Sequence, residues 1–142
     1  MPSVLIAEDQ EGLRKAIREF LLREHYDVED VPDADAALAT LQRRHFDLLV
    51  SDVRMPEIDG IDCIRFIREC ETRADRKPTP EVIITGYSDD QARARADSLA
   101  IRDFVQKPFD NLRLLDTIRL RLSQRKPDRQ KRWRTPRSGV WC

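Results

Sequence analysis

Four apolar runs mark out the chain: Val4-Leu5-Ile6-Ala7, Leu48-Leu49-Val50-Ser51, Val82-Ile83-Ile84 and Phe104-Val105-Gln106. They are short and continuous rather than alternating, as in strands covered on both faces. A weaker run from Val28 to Val31 is broken by Pro32. Between the runs the apolar positions change period. Leu13, Ile17, Phe20 and Leu21 share one helical face over residues 11–24. Ala34, Ala37, Leu38 and Leu41 form a second stripe behind Asp33, which is suited to cap it. Cys63, Ile64, Ile67 and Cys70 form a third, after a loop marked by Met55-Pro56 and Asp59-Gly60. Leu112, Leu115, Ile118 and Leu122 are expected to face inward on a last helix ending near Gln124.

The helix between the fourth and fifth strands differs. Ser88 with Gln91 fits a capping box, and Asp89 and Asp90 suit the positive helix end. Beyond them, to about Ala100, the segment is mostly alanine and arginine with one leucine. It can bury little apolar area, so it should be the least firmly anchored helix. The polar stretch Arg73 to Pro80 is a connection. Strand then helix, five times over, predicts an α/β domain: a (βα)5 doubly wound parallel sheet with right-handed crossovers.

In such a sheet ligands bind outside the carboxyl ends of the strands. Glu8-Asp9, Asp52, Thr85 and Lys107-Pro108 all stand at or just after those ends. Carboxylates gathered in one pocket repel unless a cation neutralises them. Mg2+ suits them, being a hard ion that takes one or two carboxylates together with phosphate oxygens. A carboxylate can also attack phosphorus, a lysine can meet the phosphoryl oxygens as a point charge, and a threonine hydroxyl can donate to them. Singly, each residue has a plainer reading. Asp52 alone would be a solvated strand-end carboxylate, Glu8-Asp9 a helix cap, Thr85 a β-branched strand residue and Phe104 core. The set points to phosphoryl chemistry.

Composition narrows the picture further. A chain of 142 residues is one ordinary domain. Its 26 basic and 26 acidic residues cancel, but unevenly. From Arg125 to Cys142 seven basic residues face one acid, Asp128, for a charge of +6, leaving residues 1–124 at −6. No stretch approaches the roughly 18 apolar residues of a membrane span, and no leader precedes the first strand. Cys63 and Cys70 fall seven positions apart on one helix, about 10 Å along its axis, too far to bridge. The expectation is a cytoplasmic protein with free thiols. His25 and His45 lie away from the strand ends and are not expected to act in catalysis.

As a set, Glu8-Asp9, the run Asp52-Val-Arg-Met-Pro-Glu-Ile-Asp-Gly60, Thr85-Gly86 and Phe104-Val-Gln-Lys-Pro-Phe109 resemble a bacterial response-regulator receiver domain over residues 1–124. The resemblance implies a flavodoxin-like sheet of order 2-1-3-4-5, with its switch point between strands 1 and 3. It implies that Asp52 accepts a phosphoryl group from a phosphohistidine on a sensor histidine kinase or histidine phosphotransfer protein. Asp9 and Asp52 would ligate Mg2+ directly, Glu8 through water, and Arg54 through its backbone carbonyl. Lys107 would pair with the phosphoryl group, and its bond to Pro108 would be cis. Thr85 would move toward it, Phe104 would turn inward, and the face of the fourth helix, fifth strand and fifth helix would change its partners, with a homodimer as one form of output.

Arg54 and Tyr87 stand near the path of an attacking water and should tune the lifetime of the phosphoryl group. An aspartate-nucleophile phosphatase would need a second aspartate two residues after the first, where Arg54 stands, so turnover on outside substrates is not expected. Two other readings stand beside the switch. One is a phosphorelay intermediate that passes its phosphoryl group to another histidine. The other is an effector acting on nucleic acid or an acidic partner through residues 125–142, where Trp133 and Trp141 interleave with arginines. That segment otherwise reads as a disordered tail or linker stub, too short to fold alone.

Overall fold

The structure is a computed structural model that describes residues 1–86 and 90–124. Five strands and five helices alternate: β1 (Ser3–Ala7), α1 (Glu11–Arg23), β2 (Asp27–Val31), α2 (Ala34–Arg43), β3 (Leu48–Asp52), α3 (Gly60–Arg73), β4 (Glu81–Thr85), α4 (Asp90–Ser98), β5 (Phe104–Gln106) and α5 (Asn111–Ser123). The sheet is wholly parallel, in the order β2-β1-β3-β4-β5, as the resemblance implies. Chain order reverses at the β1–β3 pair, so the crevice at their carboxyl ends opens between Glu8 and Asp52.

Continuous apolar runs give β1, β3 and β4 two buried faces. Leu5, Ala7, Leu49 and Ile83 pack with α2, α3 and α4 on one side. Val4, Ile6, Leu48, Val50, Val82, Ile84 and Val105 pack with α1 and α5 on the other. This alternation is the period of a strand. Asp33 caps α2, its side chain accepting from the Ala36 N–H at 2.8 Å. Asp59 caps α3 in the same way, accepting from the Ile61 and Asp62 N–H groups.

The edge strand β2 carries three acids, each held by an arginine. Arg44 bonds Asp27 at 2.6 Å and Glu29 at 3.1 Å from one side. Arg14 and Arg18 meet Asp30 at 2.9 and 3.3 Å from the other.

One expectation needs correction: Leu112 is 68% exposed, and Leu114 takes its place in the core beside Leu115 and Ile118. Cys63 is a buried free thiol, as expected, and Cys142 lies outside the described residues. The Ser88 capping box, Tyr87 and the basic segment 125–142 lie outside the described residues. Among the described residues no helix is long and apolar enough to cross a membrane.

Candidate functional site

Asp52 ends β3 with 3% of its surface exposed, and both carboxylate oxygens are engaged. Oδ1 accepts from the Arg54 N–H at 3.1 Å, and Oδ2 accepts from Lys107 Nζ at 2.5 Å. The loop that follows is fixed by backbone bonds. The Val53 N–H donates to the Ile84 carbonyl at 3.0 Å, and the Gly60 N–H donates to the Val53 carbonyl at 2.7 Å. Gly60 packs so closely that a Cβ there would lie 2.1 Å from the Asp52 carbonyl oxygen. Only glycine permits that approach, and it is what seats α3 against the end of β3.

Glu8 leaves β1 fully buried. Its Oε1 accepts from the Gln10 N–H at 3.1 Å, and its Oε2 accepts no hydrogen bond although it lies 4.0 Å from Lys107 Nζ. Burial, helped by the neighbouring Asp52 carboxylate, pushes the Glu8 carboxyl up to about 8, against the pull of the Gln10 N–H and Lys107. Asp9 is exposed beside it. One oxygen from each of Glu8, Asp9 and Asp52 falls within 4.8 Å of the others. A buried, unpaired acceptor among three acids suits a hard divalent cation, and these residues could hold Mg2+.

Thr85 closes β4, buried, with its hydroxyl donating to the Gly86 carbonyl at 3.3 Å. Its own carbonyl accepts from the Lys107 N–H at 2.8 Å, which ties the hydroxyl-bearing strand end to the lysine. The Lys107–Pro108 peptide is cis. Phe104 opens β5 half-buried, with the Arg93 guanidinium of α4 stacked 4.2 Å from its ring centroid.

Every candidate of the sequence analysis among the described residues except Phe104, which opens β5, thus falls at or just beyond the carboxyl end of a strand. Asp52, Lys107, Glu8 and Asp9 meet directly. Arg54 contributes its N–H to Asp52 while its side chain is exposed. Thr85 and Phe104 flank the group. His25 follows the end of α1, and His45 pairs with Asp47 at 3.3 Å, so neither joins the site.

Three arginines went unnoticed in the sequence. Arg14 donates to the Glu8 carbonyl at 3.0 Å while its Nε holds Asp30, fixing the turn out of β1. Arg93 covers Phe104, and Arg95 grips Asp59 at 2.6 Å and Asp62 at 2.9 Å. No sequence signal marks them, because each reaches across elements brought together only by the fold.

A family model described as the response regulator receiver domain matches residues 4–119. The chain belongs to that family. Among curated relatives, this receiver domain is 33% identical over 129 residues to the response regulator ArlR of Staphylococcus saprophyticus, covering 91% of the chain and 56% of ArlR. It is 30% identical over 106 residues to the transcriptional regulatory protein ResD of Bacillus subtilis, covering 75% of the chain and 42% of ResD. The receiver domain therefore spans about half the length of the curated relatives it matches.

Solved structures agree. The chemotaxis protein CheY4 of Vibrio cholerae superimposes with a TM-score of 0.77 at 27% identity, covering 85% of this chain and 98% of that one. The non-phosphorylated HemR receiver domain of Leptospira biflexa gives 0.78 at 29%, covering 90% and 99%. The protein is a receiver domain of the two-component response-regulator kind.

Proposed function

We propose that this receiver domain takes a phosphoryl group onto Asp52 from a phosphohistidine on a cytoplasmic histidine kinase or phosphotransfer protein. In the transfer an Asp52 oxygen bonds to phosphorus, the phosphorus–nitrogen bond of the donor breaks, and the imidazole leaves with the electron pair and takes up a proton. The observation that carries this reading is the hydrogen bond from Lys107 Nζ to Asp52 Oδ2. A buried carboxylate at the mouth of the crevice already faces the cation that would meet incoming phosphoryl oxygens. Its second oxygen is oriented by the Arg54 N–H, so the nucleophile is held in one rotamer.

Mg2+, held by Asp9 and Asp52 with Glu8 reached through water and the Arg54 carbonyl completing the protein ligands, would screen the repulsion between carboxylate and phosphoryl dianion. The buried, unpaired Oε2 of Glu8 supports a cation at this place. Thr85, buried beside Lys107, would turn its hydroxyl from Gly86 to the phosphoryl oxygens. Phe104 would follow into the space it leaves, altering the α4–β5–α5 face that meets output partners. Position 54 offers no second carboxylate to act as general acid, which favours a self-resetting switch over a turnover enzyme.

Intact-mass measurement after acetyl phosphate and Mg2+, wild type beside Asp52→Asn, tests the reading. One labile phosphoryl adduct on wild type and none on the variant is expected. An adduct retained by Asp52→Asn would move the acceptor elsewhere. None on wild type with either acetyl phosphate or a phosphohistidine donor would defeat the proposal.

A further inference from the structure

Helix α4 touches the rest of the domain mainly through charge. The residues it buries are Ala92 and Ala96, a methyl group apiece. Against that, two of its arginines make directed contacts, one with β5 and one with α3. The Arg93 guanidinium sits over the Phe104 ring, 4.2 Å from its centroid. Arg95 is forked across the start of α3, with Nη1 to Asp59 Oδ2 at 2.6 Å, Nη2 to Asp62 Oδ1 at 2.9 Å and Nη2 to Asp59 Oδ1 at 3.2 Å.

Both partners lead to the site. Phe104 stands three residues before Lys107 on the same strand and its extension. Asp59 caps α3 and immediately precedes Gly60, the residue pressed against the Asp52 backbone. Although burial works against it, the Asp59 carboxyl is held below its ordinary range by the Arg95 bond and the Asp62 and Ile61 N–H groups, so it stays charged and available to the clamp.

We infer that Arg93 and Arg95 are positioning residues that latch α4 in its resting place, one by covering the half-buried Phe104 ring and the other by tying α4 to the α3 cap behind Asp52. The inference rests on the proposed phosphoryl switch and deepens it by naming what sets its resting equilibrium. If Phe104 turns inward, the stack with Arg93 is lost. If α4 shifts, the Arg95 fork is lost. Each contact exists in the arrangement seen here and not in the alternative, which is the condition for biasing a two-state element. A half-exposed cation–π contact and a partly exposed forked ion pair each shift such a balance about two- to fivefold. Removing both should shift it about tenfold toward the phosphoryl-accepting form.

The test uses the full chain as wild type, Arg93→Met, Arg93→Lys, Arg95→Gln and the Arg93→Met/Arg95→Gln pair. One readout is the rate of phosphoryl uptake from acetyl phosphate with Mg2+ by intact mass. The other, without donor, is the fluorine NMR resonance of 4-fluorophenylalanine at position 104, assigned by its loss in Phe104→Leu. Arg93→Met should move the ring resonance and speed uptake about threefold, Arg93→Lys should restore part of both, and the pair should approach tenfold.

Uptake that falls in step with thermal stability would make the arginines structural glue and overturn the inference. So would an unmoved resonance with unchanged uptake. A wild type that accepts no phosphoryl group would defeat the proposed function instead. The latch would then stand on a ring resonance that moves in Arg93→Met, and fall on one that does not.

Discussion

Helices α3 and α4 border the same mouth but are attached by different physics. Helix α3 buries Gly60, Ile61, Cys63, Ile64, Ile67, Cys70 and Glu71. Its three isoleucines alone represent roughly 5–9 kcal/mol of gross apolar transfer. Helix α4 buries two alanines, roughly 1–2 kcal/mol on the same scale. What holds α4 besides is arginine: Arg93 on Phe104, Arg95 on Asp59 and Asp62, and Arg68 reaching from α3 to the Leu99 carbonyl just past its end. Apolar burial is not directional and resists sliding only by loss of area. A forked ion pair has one good geometry and a definite alternative when broken. The helix meant to stay is sealed with isoleucine, and the helix suited to move is pinned with charge.

Changes on the two helices should break this contrast in order of size. Ile64→Ala in α3 should cost about 4 kcal/mol in denaturant titration, since the fully buried side chain leaves a cavity. Gly60→Ala should cost about 3 kcal/mol and lower phosphoryl uptake with it, because the added methyl meets the Asp52 carbonyl.

Glu71 gives α3 a pH-dependent weakness of its own. Its carboxyl is buried, Oε2 accepts from the Thr79 N–H and hydroxyl, and Oε1 accepts no hydrogen bond. Burial pushes its pKa up to about 7 from 4.5, despite the Thr79 bonds and with some help from Glu81. The folded state thus holds a proton that the unfolded chain releases. The stabilisation is whole below about pH 4.5 and is lost as pH rises through about 7. Relative to Glu71→Gln, wild type should lose on the order of 2–3 kcal/mol between those limits, measured as the difference between two denaturation series. A flat difference would mean that the carboxyl ionises alike in both states.

On α4 the corresponding change is smaller. Ala96→Gly should cost about 1 kcal/mol and act on exchange of the 90–98 amides more than on global unfolding. The smallest effect should be that of salt. Raising NaCl should speed α4 amide exchange while leaving α3 nearly unchanged, because partly exposed ion pairs are screened and buried isoleucines are not.

The fold was legible because its strands are buried on both faces, so continuous apolar runs and their polar ends announced β1, β3, β4 and β5 together with the site residues that follow them. Helix α5 was less legible for a definite reason. Its six aliphatic residues, Leu112, Leu114, Leu115, Ile118, Leu120 and Leu122, permit more than one stripe at about 100° per residue. Choosing Leu112 over Leu114 satisfied the period but not the sheet, which receives Leu114, Leu115 and Ile118. The site acids and lysine could be placed from the ends of runs. The arginines could not, since Arg95 and Asp59 are 36 residues apart and their meeting depends on how α4 lies beside α3. Gly60 was read as turn chemistry, and the structure gives it a stricter duty against Asp52.

The outer strands of the sheet carry one more consequence. A parallel sheet that is not closed leaves a row of backbone donors and acceptors at each side, open to a strand from another molecule. Here β2 fills its row with Asp27, Glu29 and Asp30 and follows it with Pro32, while β5 is three residues long. One side offers a guest strand ion-paired acids and a proline, and the other gives it too little to grip. At high concentration this domain should therefore meet its own copies through helix faces and not by adding strands, keeping it off the road to fibrils.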